Sequence, residues 1–66
     1  MRLVVDYYEF PKLNGRIIPK GKRYNLTVDV FEIEDENKLL NELYKIVSSE
    51  TNVPRNQLEI MVWSRA

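Results

Sequence analysis

The sequence predicts a single small α+β domain over residues 1–66, with elements in the order β-β-α-β. One amphipathic helix is expected to pack on one face of a three- to four-stranded antiparallel or mixed sheet. Three observations predict this class. Three segments are rich in β-branched and aromatic residues, one segment repeats apolar residues at helical spacing, and 66 residues are enough for only one core.

The first strand is expected at residues 2–10, which are rich in Val, Tyr and Phe and end at a proline. Asn14-Gly15 then predicts a tight turn, because both residues tolerate a positive φ. Pro19-Lys20-Gly21 gives a second turn signal close behind it. Residues 11–23 therefore fit either one long hairpin loop or a connection that contains an extra short strand at residues 16–18.

The second strand is indicated by residues 24–30, where apolar and polar side chains alternate. The alternation shifts after Val30, because Phe31 and Ile33 are the next apolar positions. Two explanations remain open. Either a β-bulge lies near Val30 and Phe31, or Phe31 belongs to the outer face of the sheet.

The helix is predicted at about residues 36–50. Asp35 suits the N-cap, Asn52 suits the left-handed residue after the last turn, and Pro54 prevents continuation. At 100° per residue, one face of this helix collects most of its apolar side chains. They are Leu39, Leu40, Leu43, Ile46 and Val47, with Tyr44 at the margin.

The last strand is expected at about residues 57–64, and strand parity then divides the side chains between two sheet faces. The set expected to face the helix is Leu3, Val5, Tyr7, Leu26, Val28, Val30, Leu58, Ile60 and Val62. The set expected on the opposite face is Val4, Tyr8, Met61, Trp63 and Phe31.

The opposite face has no second helix to cover it, and its large apolar residues are unusual for a sheet face in solvent. Aromatic residues and Met are enriched at protein interfaces. We therefore predict partner binding at this face, either to another protein or to a second copy in a homodimer, through Tyr8, Phe31, Met61 and Trp63. The alternative is that the 11–23 segment folds back and covers part of the patch with Leu13, Ile17 and Ile18.

The composition argues against an enzyme. The chain has no His and no Cys, which excludes the commonest general base, thiolate nucleophiles and the usual transition-metal ligands. We expect no catalytic residues, no metal and no cofactor. No apolar run approaches the ~20 residues of a membrane span, so no membrane contact is expected. A small domain without disulfides fits the reducing cytoplasm.

The zero net charge conceals a segregation along the chain. Residues 11–25 carry five basic side chains and no acidic one, whereas residues 29–42 carry six acidic side chains and one basic. The basic segment supports an alternative function, nucleic-acid binding, with phosphate contacts and one stacking ring. The residues concerned are Arg16, Lys20, Lys22, Arg23 and Tyr24. The zero net charge, and acidic residues expected beside the aromatic face, argue against this alternative.

Residues 48–58, SSETNVPRNQL, resemble the helix exit of ubiquitin-like domains, where a helix ends at Gly or Asn and is followed by a Val-Pro or Ile-Pro pair, a Gln and the next strand. The preceding β-β-α order is also similar. The resemblance implies a helix packed on a β-grasp-like sheet. It does not imply conjugation, because the sequence has no di-glycine tail and no further strands after residue 64.

In size and architecture the chain also resembles the small accessory proteins of bacteriophages and mobile elements, which bind and redirect host enzymes. This resemblance implies a regulatory or inhibitory protein-interaction module without catalytic activity.

Overall fold

The computed structural model describes all residues 1–66, and its α+β class confirms the predicted one. One helix accompanies a three-stranded and a two-stranded sheet, both antiparallel. The elements are β1 (Arg2–Glu9), β2 (Lys12–Leu13), β3 (Arg16–Ile17), β4 (Lys22–Asp29), α1 (Glu36–Thr51), a short 3₁₀ turn (Arg55–Gln57) and β5 (Leu58–Arg65). No helix of the structure has the length and apolar character that a membrane span requires.

The main sheet has the strand order β4-β1-β5, so the first strand of the chain is its central strand. Leu3, Val5 and Tyr7 are buried on one side of β1. Their partners on β4 are Val28, Leu26 and Tyr24. Side chains alternate across a strand, so the even-numbered residues of β1 lie on the other side. We call these two sides the helix face and the outer face.

The helix covers the helix face and begins and ends where local signals predict. Asp35 is the N-cap, and its carboxylate accepts the N–H of Lys38 at 3.1 Å. Asn52 follows the last turn with φ 59°, in the left-handed region. The buried residues of sheet and helix form one core: Leu3, Val5, Tyr7, Val28, Val30, Leu39, Leu43, Val47, Leu58 and Ile60.

The connection between β1 and β4 is a separate hairpin, which settles the ambiguity of residues 11–23. Asn14 and Gly15 have φ values of 53° and 77°, as a two-residue turn between β2 and β3 requires. Leu13 is 62% exposed and Ile17 is 40% exposed. The alternative in which Leu13 and Ile17 cover part of the aromatic face is therefore wrong, and Ile18, the third residue of that alternative, is half-buried. The extra strands number two, and they pair with each other rather than widening the main sheet.

The register irregularity lies in β5 and not near Val30. β4 pairs with β1 without interruption from Lys22 to Asp29, and Met1 and Val30 continue the same ladder, so of the two explanations for the shift after Val30 the β-bulge is wrong. On β5, Ile60 pairs with Tyr7, whereas Val62 pairs with Asp6. Met61 is thus an additional residue in β5, and the strand changes its parity there.

This bulge corrects the predicted faces of two residues. Trp63 pairs with the buried Val5, so it lies on the helix face, where it is half-buried and packs against the core. Val62 pairs with Asp6, so it lies on the outer face and is 53% exposed. Sequence parity assigned both residues to the opposite sides, because it assumed an unbroken alternation through β5.

Candidate interaction surface

The outer face of the main sheet carries an uncovered apolar strip made of Val4, Tyr8, Met61 and Val62. Val4 and Tyr8 belong to the central strand and are half-buried. Met61 follows the inward-facing Ile60, and like Val62 it is 53% exposed. The bulge therefore places two consecutive apolar side chains of β5 at one side of the strip.

Two ion pairs lie on this face, and one of them reaches into the strip, because Asp6 stands between Val4 and Tyr8 on β1 and pairs with Val62 on β5. The Nε of Arg2 lies 3.1 Å from Oδ1 of Asp29, and Nη2 of Arg23 lies 3.2 Å from Oδ2 of Asp6. Both pairs join β1 to β4. The Arg2–Asp29 pair is largely exposed and contributes little to stability, whereas the Asp6 side chain of the second pair is only 28% exposed. The outer face therefore combines an apolar strip with a polar rim, the usual anatomy of a protein-binding patch.

Two of the four predicted binding residues, Tyr8 and Met61, lie together on this face. Trp63 does not, because it belongs to the helix face. It borders a shallow groove at the end of the sheet together with Met61, Val62 and Glu36 at the start of α1. Phe31 does not either. It follows the end of β4, is 85% exposed and lines a groove with Ile46 of the helix.

The five residues of the predicted nucleic-acid site are distributed over three parts of the molecule. Lys20, Lys22 and Tyr24 line one groove beside Glu9. Arg16 belongs to the β2–β3 hairpin. Arg23 lies on the outer face with its guanidinium on Asp6. The basic segment of the sequence therefore does not form one continuous surface.

The ring of Tyr24 is already engaged on the helix face. It stacks on the ring of Tyr7 with centroids 5.9 Å apart and planes 24° apart, and Nζ of Lys22 lies 5.6 Å from its centroid. Burial raises the pKa of the Tyr7 hydroxyl above its ordinary value of 10.0, with smaller contributions from the nearby Glu9 and Tyr24. This cluster links the paired positions Tyr7 of β1 and Tyr24 of β4 through their side chains.

The edge of β4 is a second uncovered feature. Met1 and Val30 exchange both of their backbone hydrogen bonds, so by the alternation of an antiparallel ladder the even-numbered residues of β4 bond to β1. The N–H and C=O groups of the odd-numbered residues then point away from the sheet. These residues are Arg23, Asn25, Thr27 and Asp29.

The opposite edge, on β5, is partly closed. The bulge at Met61 interrupts its ladder, and the N–H of Ile60 donates to the hydroxyl of Tyr44 at 3.0 Å. The guanidinium of Arg55 in turn covers the Tyr44 ring at 4.7 Å. A bulge and a capped N–H are devices that prevent pairing with another strand, and only β5 carries them.

The structure contains no group of three or more His, Cys, Asp or Glu side chains placed to hold a metal ion. Comparison of the chain with protein-family models, with curated proteins and with solved structures gave no match. The assignment of a site therefore depends on the geometry of the chain itself.

Sequence reasoning missed two members of this surface, Val62 and the open edge of β4. A signal for Val62 was present, because Met61, Val62 and Trp63 are three consecutive apolar residues and fit either phase of a strand. The β4 edge had no such signal. Which strand lies at an edge depends on the order of strands in the sheet, here β4-β1-β5. That order is set by contacts between segments distant in sequence.

Proposed function

We propose that this chain is a small non-enzymatic protein-interaction module of the cytoplasm, of the kind that regulates or inhibits a partner protein, as phage-type accessory proteins do. The observation that supports it is the apolar strip on the outer face, where Met61 and Val62 are each 53% exposed. Apolar side chains on an uncovered face contribute hydrophobic stabilisation only when another surface covers them and removes them from water.

The chemistry of the outer face favours a protein partner. Met, Val and Tyr offer apolar contact, while Arg2, Arg23 and Asp29 at the rim remain in water. Asp6 lies within the strip, opposite Val62, and its carboxylate is paired with Arg23. A partner with a complementary apolar patch displaces water from the strip without separating the charge pairs. Among the residues predicted from sequence, Tyr8 and Met61 keep this proposed role and Val62 joins them.

The proposal is tested by placing a charge in the middle of the strip. We expect Val62→Glu to leave the fold intact, since the side chain is exposed, and to abolish capture of the partner from an extract of the native host. The matched control is Lys45→Glu, which introduces the same carboxylate at an exposed position of α1. Far-ultraviolet circular dichroism during thermal unfolding verifies that both variants are folded.

Selective loss of captured protein in Val62→Glu, with Lys45→Glu equal to wild type, supports the outer face as the binding site. Equal capture by all three proteins would contradict it. A photoreactive residue at Tyr8 provides an independent check, because its adduct must contain the same partner.

A second candidate function is nucleic-acid binding, which is favoured by the grouping of Lys20, Lys22 and Tyr24 around one groove. Electrostatic binding of this kind weakens steeply as salt rises. We expect any retardation of single-stranded DNA or RNA at low salt to disappear in the double variant Lys20→Ala/Lys22→Ala. Absence of retardation at low salt by the wild-type chain eliminates this candidate.

A further inference from the structure

We propose that two copies of the chain pair through the edges of β4, antiparallel and centred on Leu26, to form one continuous six-stranded sheet from two three-stranded ones. This inference builds on the proposed interaction function and names one partner, a second copy of the chain. It uses an edge rather than the outer face, so the two surfaces are separable by experiment.

The edge of β4 carries a row of unpaired backbone groups. β4 is eight residues long, pairs with β1 without a bulge and contains no proline. The N–H and C=O groups of its odd-numbered residues face solvent. A long regular edge of this kind is a template for another strand, and the capped edge of β5 is not.

One register of this pairing sets complementary side chains opposite each other on the outer face. With Leu26 opposite its own copy, Asn25 faces Thr27 of the second copy, and Arg23 faces Asp29. These are all outward-pointing backbone positions, as the hydrogen-bonded pairs of an antiparallel ladder require. Four such pairs supply about eight backbone hydrogen bonds.

Shifting the register removes the charge match. Centring the pair on Asn25 places Asp29 opposite Gly21, and centring it on Thr27 places Arg23 opposite Phe31. Only the Leu26-centred register sets each Arg23 against an Asp29. Asp29 already contacts Arg2, which lies opposite it on β1, and Arg23 already contacts Asp6, its diagonal neighbour. Charges of alternating sign therefore follow one another across the interface from Arg2 through Asp29 and Arg23 to Asp6.

The segregation of charge along the sequence also favours antiparallel pairing. Five basic side chains lie in residues 11–25, toward the start of β4, and the acidic residues 29–42 follow its end. Antiparallel pairing sets the basic end of one strand beside the acidic end of the other. Continued beyond the strand, the same register places Lys20 opposite Glu32 of the second copy. Such complementarity selects this orientation over a parallel one.

The helix face adds an apolar contact at the symmetry axis. Leu26 is half-buried against the core of its own chain and lies at the edge of the sheet. In the paired sheet its remaining exposed surface meets Leu26 of the second copy. Tyr24 lies opposite Val28 on the same face, so apolar side chains border the interface on that side.

The test uses two single variants that are each self-repelling but complementary to one another. In a homodimer of Arg23→Asp, the two pairs formed by positions 23 and 29 set Asp against Asp29. In a homodimer of Asp29→Arg, the same two pairs set Arg against Arg23. Mixing the two variants restores one Asp–Arg pair at each end of the interface. Sedimentation equilibrium measures self-association of wild type, of each variant and of the equimolar mixture, and a double variant Arg23→Asp/Asp29→Arg serves as the charge-swapped control.

We expect each single variant to self-associate at least about tenfold more weakly than wild type. The equimolar mixture and the charge-swapped double variant should recover dimers, which also shows that the single variants are folded. A wild-type chain that stays monomeric at millimolar concentration, or single variants that dimerise as well as wild type, would overturn the proposal. If such a monomer still binds a host protein through Val62, the outer-face function stands and only the edge pairing is lost.

Discussion

Trp63 stabilises the domain from the helix face. It pairs with the fully buried Val5 on the central strand and packs against the core that α1 covers. Its neighbour Val62 pairs with Asp6 and projects to the opposite side, and the bulged Met61 is equally exposed. One inserted residue in β5 therefore separates a structural indole from two apolar side chains that are free for contact.

Replacing Trp63 by Ala is expected to lower the free energy of unfolding by about 2 kcal/mol, less than for a fully buried Trp because the indole is half-buried. Met61→Ala is the matched control, and we expect it to change that free energy by less than about 0.5 kcal/mol, since the side chain is largely exposed. Urea unfolding is followed by circular dichroism and not by tryptophan fluorescence, because the Trp63→Ala variant has lost the indole fluorophore. Equal midpoints for the two variants would contradict the assigned faces.

Tyr7 makes stability fall at alkaline pH. Its raised pKa means that the folded chain keeps the phenolic proton at pH values where the unfolded chain loses it. The stabilisation is complete below the ordinary pKa of 10.0 and is lost as pH rises from there through the folded value. Urea unfolding between about pH 9 and pH 11 measures the decline. Tyr7→Phe should decline less steeply, and an identical slope in that variant would argue against burial as the cause.

At the scale of elements, the helix was predictable almost to the residue because its signals are local. Asp35, Asn52 and the apolar spacing between them all occur within the segment itself. The Asn14-Gly15 turn was predictable for the same reason. The bulge in β5 was not, because register is set by the facing strand and β1 is about fifty residues away in sequence. The candidate site inherited that error at Trp63 and Val62.

The cap of the helix gives a prediction at this scale. Asp35→Ala removes the acceptor of the Lys38 N–H bond and should lower the free energy of unfolding by about 1 kcal/mol. The matched control is Glu34→Ala, which removes a carboxylate one residue earlier and leaves the cap in place. Thermal unfolding of the two variants should therefore give a lower midpoint for Asp35→Ala. Equal losses in both would mean that charge, and not capping, stabilises the helix start.

For the whole molecule, a two-layer architecture explains why surfaces remain for binding. One helix covers only one face of a three-stranded sheet, and three strands leave two edges. The chain closes the β5 edge through Tyr44 and the bulge, but leaves the outer face and the β4 edge open. A second copy along the edge extends the outer face without covering it, so one molecule accommodates both proposed contacts.

The proposed binding surface depends on which apolar side chains lie on the helix face and which lie on the outer face. A soluble paramagnetic probe measures that division directly by nuclear magnetic resonance. We expect a gadolinium chelate to accelerate relaxation strongly at the methyl groups of Met61 and Val62 and weakly at those of Val5 and Val47, with the Trp63 indole between them. If Val62 were as protected as Val5 while Trp63 relaxed as fast as Met61, β5 would have no bulge and the assignment of the outer face would be wrong.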